Sequence, residues 1–375
     1  MRILNYEYQD LGSRGWHFNR AEFTRLNLIV GDTASGKTRF LNTIFNLGSS
    51  VVGTRPIGAP NRVTINFAHN DDLYNWEIRT DLGEDNKPVV LQESLDRSRG
   101  KTTKTIVRRT PTEFYFHNTA LPRLRGDQYS VSLLKDEEDM KPIYQAFGQI
   151  LRRNFFSDAL QDVLPASRLT NPLLADRPVT SLLQLHNMGL PMNLKLFILR
   201  NSFPEIYQSI CDCFVSVFPF LSEVDIKELR DLMPKITPPG PTPVFAVREK
   251  GLKGWIGIDQ LSSGMQKVML IITDSLSLPK GSIYLIDEYE NSLGISAIDF
   301  FPEFISTHAN DVQFIITSHH PYLINNIPPQ NWLVFSRKGA KVRIRYGKEN
   351  IDIYGTSKQK RFIQLINDPF YSENH

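Results

Sequence analysis

One stretch near the start of the chain leaves few folds open. Leu26-Asn27-Leu28-Ile29-Val30 reads as a buried strand, and Gly31-Asp32-Thr33-Ala34-Ser35-Gly36-Lys37-Thr38 follows as a glycine-rich turn. Residues 38–45 then read as a helix, with apolar positions at 40, 41, 44 and 45. Glycines let backbone N–H groups curl around phosphate oxygens, and the start of a helix adds partial positive charge. Lys37 is placed to reach terminal phosphates, and the Thr38 hydroxyl to ligate Mg²⁺. This strand–loop–helix order calls for an α/β core whose central strand ends at the loop.

Two later apolar runs end in groups that such a loop needs. Ile283-Tyr284-Leu285-Ile286 reads as a central strand, bounded upstream by Pro279, Lys280 and Gly281, and it runs into Asp287-Glu288. An Asp at the end of a strand beside the loop can hold Mg²⁺. A Glu directly after it can polarise an attacking water, because phosphoryl transfer relies mainly on positioning and charge stabilisation. A further strand, Val312-Gln313-Phe314-Ile315-Ile316, runs into Thr317-Ser318-His319. Order and spacing together point to ATP with Mg²⁺.

Leu261-Ser262-Ser263-Gly264, followed by Met265-Gln266-Lys267, resembles the L-S-x-G signature of ATP-binding-cassette ATPases. The likeness is to the soluble branch that includes RecF, SMC/Rad50 and OLD-type proteins. Asp287-Glu288-Tyr289-Glu290-Asn291-Ser292-Leu293 looks like the Walker B and D-loop of that branch, and Thr317-Ser318-His319-His320-Pro321 like its histidine switch. These segments cover residues 1–70 and 244–335. The resemblance implies that Glu288 is the catalytic carboxylate and that His319 reports the γ-phosphate. It also implies that Ser262, Ser263 and Gly264 face the γ-phosphate held by another subunit, which makes the protein at least a dimer. His319 is preferred to His320 because it completes T-S-H one residue before Pro321. Gly294 stands where the family usually has His or Asp after the D-loop Leu. Gln92, within Val89–Leu95, is the candidate glutamine-loop residue for sensing Mg²⁺ and water.

With 375 residues, the chain has room for one large α/β domain with an insertion. A hydrophobic share of 41% and a charged share of 22% describe an ordinary globular protein. No apolar run of about 18 residues suggests a membrane helix, and the first residues read as a strand rather than a secretory signal. Cys211 and Cys213 lie two apart in an expected helix and cannot face each other, so a reduced, cytoplasmic setting is expected.

The expected organisation is an ABC-type P-loop NTPase head interrupted by a helical lid. Residues 1–120 and 244–375 would form the core, and residues 121–243 the mainly helical insertion. Residues 63–67 and 74–80 read as strands. Ser130–Leu134, Tyr144–Leu160, Ser181–Ile198 and Pro204–Phe220 read as helices before a proline-rich connector, Pro234–Pro243. None sustains the heptads of a coiled-coil arm.

Net charge is only +3, but basic residues cluster. One group is Arg97, Arg99, Lys101, Lys104, Arg108 and Arg109, joined by Arg123, Arg125, Arg152 and Arg153. A second is Arg337, Lys338, Lys341, Arg343 and Arg345, followed by Lys358, Lys360 and Arg361. Such clusters suit a phosphate backbone as well as a solvated surface, so DNA joins the expected partners. The resemblance extends to ATPases of prokaryotic defence operons such as Septu or PARIS, which implies a switch acting on a separately encoded nuclease or toxin. The alternative is a RecF-like repair ATPase that binds DNA directly. A self-contained nuclease with a Toprim domain is not expected, because only about 55 residues follow His319 and they offer just Asp352 and Asp368 as spaced aspartates.

Overall fold

The computed structural model describes residues 1–122, 124–154, 179–235, 242–291, 293–308, 312–355 and 357–372. The chain opens with β1 (Arg2–Asp10), β2 (His17–Glu22) and β3 (Leu26–Gly31), followed by helix Lys37–Val51. A meander comes next: β4 (Asn61–His69), β5 (Asp72–Leu82), β6 (Pro88–Arg99), β7 (Thr102–Arg109), β8 (Phe114–Phe116) and β9 (Thr119–Ala120). Helices Ser130–Leu133 and Lys141–Phe147 lead into β10 (Ile150–Asn154). Helices Leu182–Asn187, Met192–Ser202 and Pro204–Val217 precede β11 (Leu221–Glu228), β12 (Pro243–Glu249) and β13 (Ile256–Gly257). The remaining strands are β14 (Ile283–Asp287), β15 (Gln313–Thr317), β16 (Trp332–Lys338) and β17 (Lys341–Tyr346).

Contacts group the chain into two units. The first holds residues 1–152, 281–287 and 311–375; the second holds 153–280 and 288–310. Those borders differ from the expected ones at 120/121 and 243/244. The large sheet runs β10-β14-β15-β3-β16-β17-β2-β1-β4-β5-β6-β7-β8-β9. At its centre β14, β15, β3 and β16 are parallel, and β3 is flanked on both sides. That placement explains its near-continuous burial, interrupted in polarity only by the hydrogen-bonded Asn27: a parallel strand inside a sheet is buried on both faces. From β1 outward the sheet is antiparallel, and the strands alternate buried and exposed residues.

Helix Lys37–Val51 lies on this sheet through Phe40, Leu41, Ile44 and Leu47. Phe40 is the centre of an aromatic cluster, with ring centroids 5.2 Å from Phe18 and Phe335 and 5.7 Å from Tyr6. Fully burying one such ring is worth about 1.5–3 kcal/mol. The cluster therefore fixes the helix whose first turn carries Lys37 and Thr38.

Two of the expected helices change, and a strand appears within the insertion expected to be mainly helical. Tyr144–Leu160 is helical only to Phe147; Ile150–Asn154 is a strand beside β14, and Ile283 N donates to Gln149 O at 3.1 Å. Residues 155–160 lie outside the described residues. Ser181–Ile198 is split at Gly189, whose φ of +58° the helix cannot continue through, and Pro191 then sets the entry to helix Met192–Ser202. Finally, Leu221–Glu228 is a strand, antiparallel to β12, inside the segment expected to be helical. Its alternation of apolar and charged residues from Val224 to Lys227 has the period of a strand. Most of the connector Pro234–Pro243 lies outside the described residues.

Candidate nucleotide site

The phosphate loop leaves the C-terminal end of β3, where the strands on both sides are parallel to it. Its backbone curls through two left-handed residues, Ala34 at φ +63° and Gly36 at φ +98°. Successive N–H groups in such turns point into one concavity, which is an anion cradle. Gly31 and Gly36 are fixed by space. A Cβ on Gly31 would come within 2.7 Å of Phe335 O and of Ser35 Oγ, and one on Gly36 within 2.9 Å of the Trp16 ring. Lys37 Nζ donates to Gly31 O at 2.7 Å and to Asp32 O at 3.0 Å, so the cation is held against the loop. Asp32 Oδ1 accepts from Thr33 N at 2.6 Å. Ser35 is 1% exposed, and its Oγ has no protein partner. A buried hydroxyl without a partner is costly, and a phosphate oxygen in the cradle would satisfy it.

Asp287 stands at the end of β14, 3% exposed. Its Oδ1 accepts from Thr38 Oγ1 at 3.1 Å and from Thr317 Oγ1 at 2.8 Å, and its Oδ2 from an Arg152 guanidinium nitrogen at 3.3 Å. Among the described residues no group of three or more His, Cys, Asp or Glu could hold a metal alone. One carboxylate beside one hydroxyl and a phosphate cradle fits Mg²⁺, which keeps several waters and shares phosphate oxygens. Arg152, expected in a basic cluster, and Thr317, expected only as part of the run that ends at His319, instead meet at Asp287. Their partner lies far away in the chain and is brought near only by the β10-β14-β15 order.

The two histidines separate clearly. His320 caps helix Pro321–Asn326: its Nδ1 accepts from Tyr322 N at 3.3 Å, and its own N–H donates to Ser318 Oγ at 3.0 Å. His319, next in line after the buried Ser318, is exposed. Gln92 is not brought to this place. It is exposed on β6, registered with Arg79, and seven strands from β3 in the sheet. The alternation of β6 turns Gln92 outward and its neighbour Glu93 inward, where Glu93 accepts from Trp76 Nε1 and Ser130 N. The assignment of Gln92 as a Mg²⁺ sensor is thus at odds with its position.

In the second unit, Ser262 caps helix Ser263–Ser277, its Oγ accepting from Met265 N at 3.3 Å. Ser262 and Ser263 are exposed and Gly264 is half-buried at this helix start. Gln266 locks the preceding turn by donating to Ile258 O and Leu261 O at 2.8 and 3.1 Å. Glu288 follows Asp287 with φ +47°, a strained region for a residue with a side chain. Asn291 Nδ2 donates to its Oε2 at 2.6 Å. Lys267, 1% exposed, spans this turn: its Nζ donates to Asn291 O at 2.6 Å and Glu288 O at 3.4 Å. Helix Ser263–Ser277 thereby pins the backbone on which Glu288 sits.

Burial pushes the Lys267 ammonium down to about 7, against the pull of the Glu290 and Glu288 carboxylates. An unfolded lysine titrates near 10.4. Between those pH values the unfolded chain binds a proton that the folded chain does not, so stability rises with pH across that window and is flat below it as far as this group is concerned. Lys267→Met is expected to remove that rise. Urea midpoints at pH 7.5, 8.5 and 9.5 check it, and equal slopes in the two proteins would contradict it.

A P-loop at the C-terminal end of a parallel central strand, with an Asp from the strand two places away on its Thr, defines a P-loop nucleotide-binding protein of the α/β class. The chain belongs to the family described as "AAA domain, putative AbiEii toxin, Type IV TA system", whose sequence model matches residues 26–325. The comparison with curated proteins gives no match. Among solved structures it is similar to an SMC head bound to the C-winged helix domain of ScpA, at 13% identity and a TM-score of 0.49, covering 92% of this chain and 98% of that one. A Pyrococcus furiosus SMC head with an extended coiled coil, bound to the C-terminal domain of ScpA, aligns at 13% identity and a TM-score of 0.45, covering 94% and 98%. The SMC head domain from Thermotoga maritima aligns at 14% identity and a TM-score of 0.43, covering 92% and 99%. Among the described residues no helix is long and apolar enough to cross a membrane.

Proposed function

We propose that the protein is an ATP- and Mg²⁺-dependent switch of a prokaryotic anti-phage defence system, working in the cytoplasm on a separately encoded nuclease or toxin. The observation that carries this reading is Asp287, which gathers the Thr38 and Thr317 hydroxyls at the end of β14, two strands from the one that bears the phosphate loop. Lys37 and the loop N–H groups bind the phosphates, and Ser35 Oγ donates to one of their oxygens. Thr38 and Asp287 hold Mg²⁺, which neutralises charge on the phosphates. Glu288 orients a water and takes its proton. His319 contacts the γ-phosphate. Ser263 and Gly264 close over the γ-phosphate bound by a neighbouring copy, so the protein works as at least a dimer. Hydrolysis loosens that interface, and the effector is held or released accordingly. Family membership supports the defence setting, because its description links it to toxin–antitoxin systems.

Binding of a fluorescent ATP analogue tests the nucleotide assignment. Lys37→Ala should weaken binding about tenfold or more, the value of one charge-assisted hydrogen bond. Thr38→Ala should bind equally with Mg²⁺ and with EDTA. Unchanged affinity in Lys37→Ala, or a Mg²⁺ response retained in Thr38→Ala, would remove these residues from the site.

A further inference from the structure

Two residues of the nucleotide site carry a buried polar atom with no protein partner among the described residues. Ser35 Oγ is one; Nε of Arg152 is the other. Arg152 comes from β10, the strand beside β14. Ile150, two residues earlier on β10, meets the phosphate-loop helix: a Cβ on Gly48 would come within 3.0 Å of Ile150 Cδ1. Alternate residues of a strand share a face, so Arg152 projects on the side of the sheet that carries that helix. Its side chain is only 14% exposed, and its carboxylate partner is Asp287 at 3.3 Å.

That pair leaves the arginine poorly satisfied. A guanidinium offers five N–H donors in a planar fork, and a well-made pair with a carboxylate uses two of them at about 2.7–2.9 Å. Arg152 gives Asp287 a single bond, to Oδ2 at 3.3 Å. Adjacent Arg153 shows the contrast, holding both oxygens of Asp274 at 2.8 and 3.4 Å. Asp287 is shared as well, since its Oδ1 accepts the Thr38 and Thr317 hydroxyls. A purely structural ion pair at this depth gains by using both prongs, because a buried donor left unpaired is costly.

Charge decides what such an arginine can do. Mg²⁺ fits between Thr38 and Asp287, and a guanidinium that shares this carboxylate with a divalent cation is repelled by it. Loop N–H groups enclose the inner phosphates of a nucleotide, and Mg²⁺ bridges the β- and γ-phosphates. The γ-phosphate is then the anion left for a side chain beside the metal, and the planar fork of arginine matches phosphate in two bonds. We propose that Arg152 is a γ-phosphate ligand supplied by the same chain. It balances Asp287 in the nucleotide-free protein and turns its fork to the γ-phosphate when Mg²⁺ and ATP are bound. The charge changes partner without entering water. Because ADP lacks that phosphate, Arg152 lets the site tell the two nucleotides apart. The proposal rests on the ATP and Mg²⁺ reading of the site.

Affinities for fluorescent ATP and ADP analogues in Mg²⁺ test it. Arg152→Gln should bind ATP about tenfold more weakly or worse, the value of one charge-assisted hydrogen bond, and ADP within about twofold of wild type. Arg152→Lys keeps the charge without the fork, so its ATP-to-ADP affinity ratio should lie between the two. This milder variant carries the test if urea midpoints show that Arg152→Gln is unfolded. An arginine that only neutralised Asp287 would move both nucleotides alike, since Thr38 and Asp287 serve both. Normal wild-type binding with an unchanged ATP-to-ADP ratio in the folded variants, or equal loss of both nucleotides, would overturn the role of Arg152 alone. Wild-type protein that binds neither nucleotide, or binding that survives intact in Lys37→Ala, would overturn the nucleotide reading and the role of Arg152 with it.

Discussion

Glu288→Gln is expected to lower ATP turnover by about 10²–10⁴-fold, the usual contribution of a positioned general base. Gln keeps the shape and the hydrogen-bonding reach of the side chain but cannot accept the proton of water. The geometry around it argues for a dedicated role. The residue is held at φ +47°, its carboxylate accepts from Asn291 Nδ2, and Lys267 grips the backbone on both sides of the turn. Such strain persists only where the surroundings impose it. ATP affinity should be nearly unchanged, because the phosphate-binding groups lie in the loop. A phosphate-release assay together with analogue binding separates the two quantities, and a variant with wild-type turnover would remove Glu288 from the chemistry.

Asp274→Ala should produce the largest loss of stability. Asp274 is fully buried in helix Ser263–Ser277, and it accepts from Arg153 Nε at 2.8 Å and from Lys195 Nζ at 2.9 Å. Burial alone would raise its pKa; Arg153 and Lys195 outweigh that and hold it well below the usual carboxylate range. The two cations are themselves only 15% and 10% exposed, so removing the carboxylate takes a charged partner from each where little water can replace it. Breaking a buried ion pair from one side costs about 3–5 kcal/mol. The triad joins the end of β10, helix Met192–Ser202 and helix Ser263–Ser277, which grips the Glu288 turn through Lys267, so the loss should reach nucleotide turnover as well. Because the folded pKa is depressed, the stabilisation is present above the unfolded value near 3.9 and is lost as pH falls toward the folded one. Urea denaturation of the variant at pH 7 checks this, and a loss under about 1 kcal/mol would contradict it.

The parts of the site that could be read from the sequence are those whose chemistry is local. The β3–loop–helix order, the apolar strand ending at Asp287 and the strand ending at Thr317 each declare themselves within ten residues. Features set by long-range pairing could not be read this way. Arg152 belongs beside Asp287 only because β10 lies next to β14, and a five-residue strand after Gly148 has no periodicity strong enough to stop a helix reading at Tyr144. Gln92 is placed elsewhere for a related reason: a glutamine in an alternating strand carries no mark of where that strand lies in the sheet. Lys267 is legible in the sequence beside Leu261–Gly264, but its grip on the Glu288 turn arises only from the fold.

The most direct test of the switch is the solution mass of Glu288→Gln by light scattering, with ATP and Mg²⁺ and without. A mass that at least doubles with ATP and Mg²⁺, and returns to its starting value when Lys37 is also replaced by Ala, is what the account predicts. A mass indifferent to nucleotide, in a variant that still binds the ATP analogue, would contradict nucleotide-dependent assembly as the basis of its function.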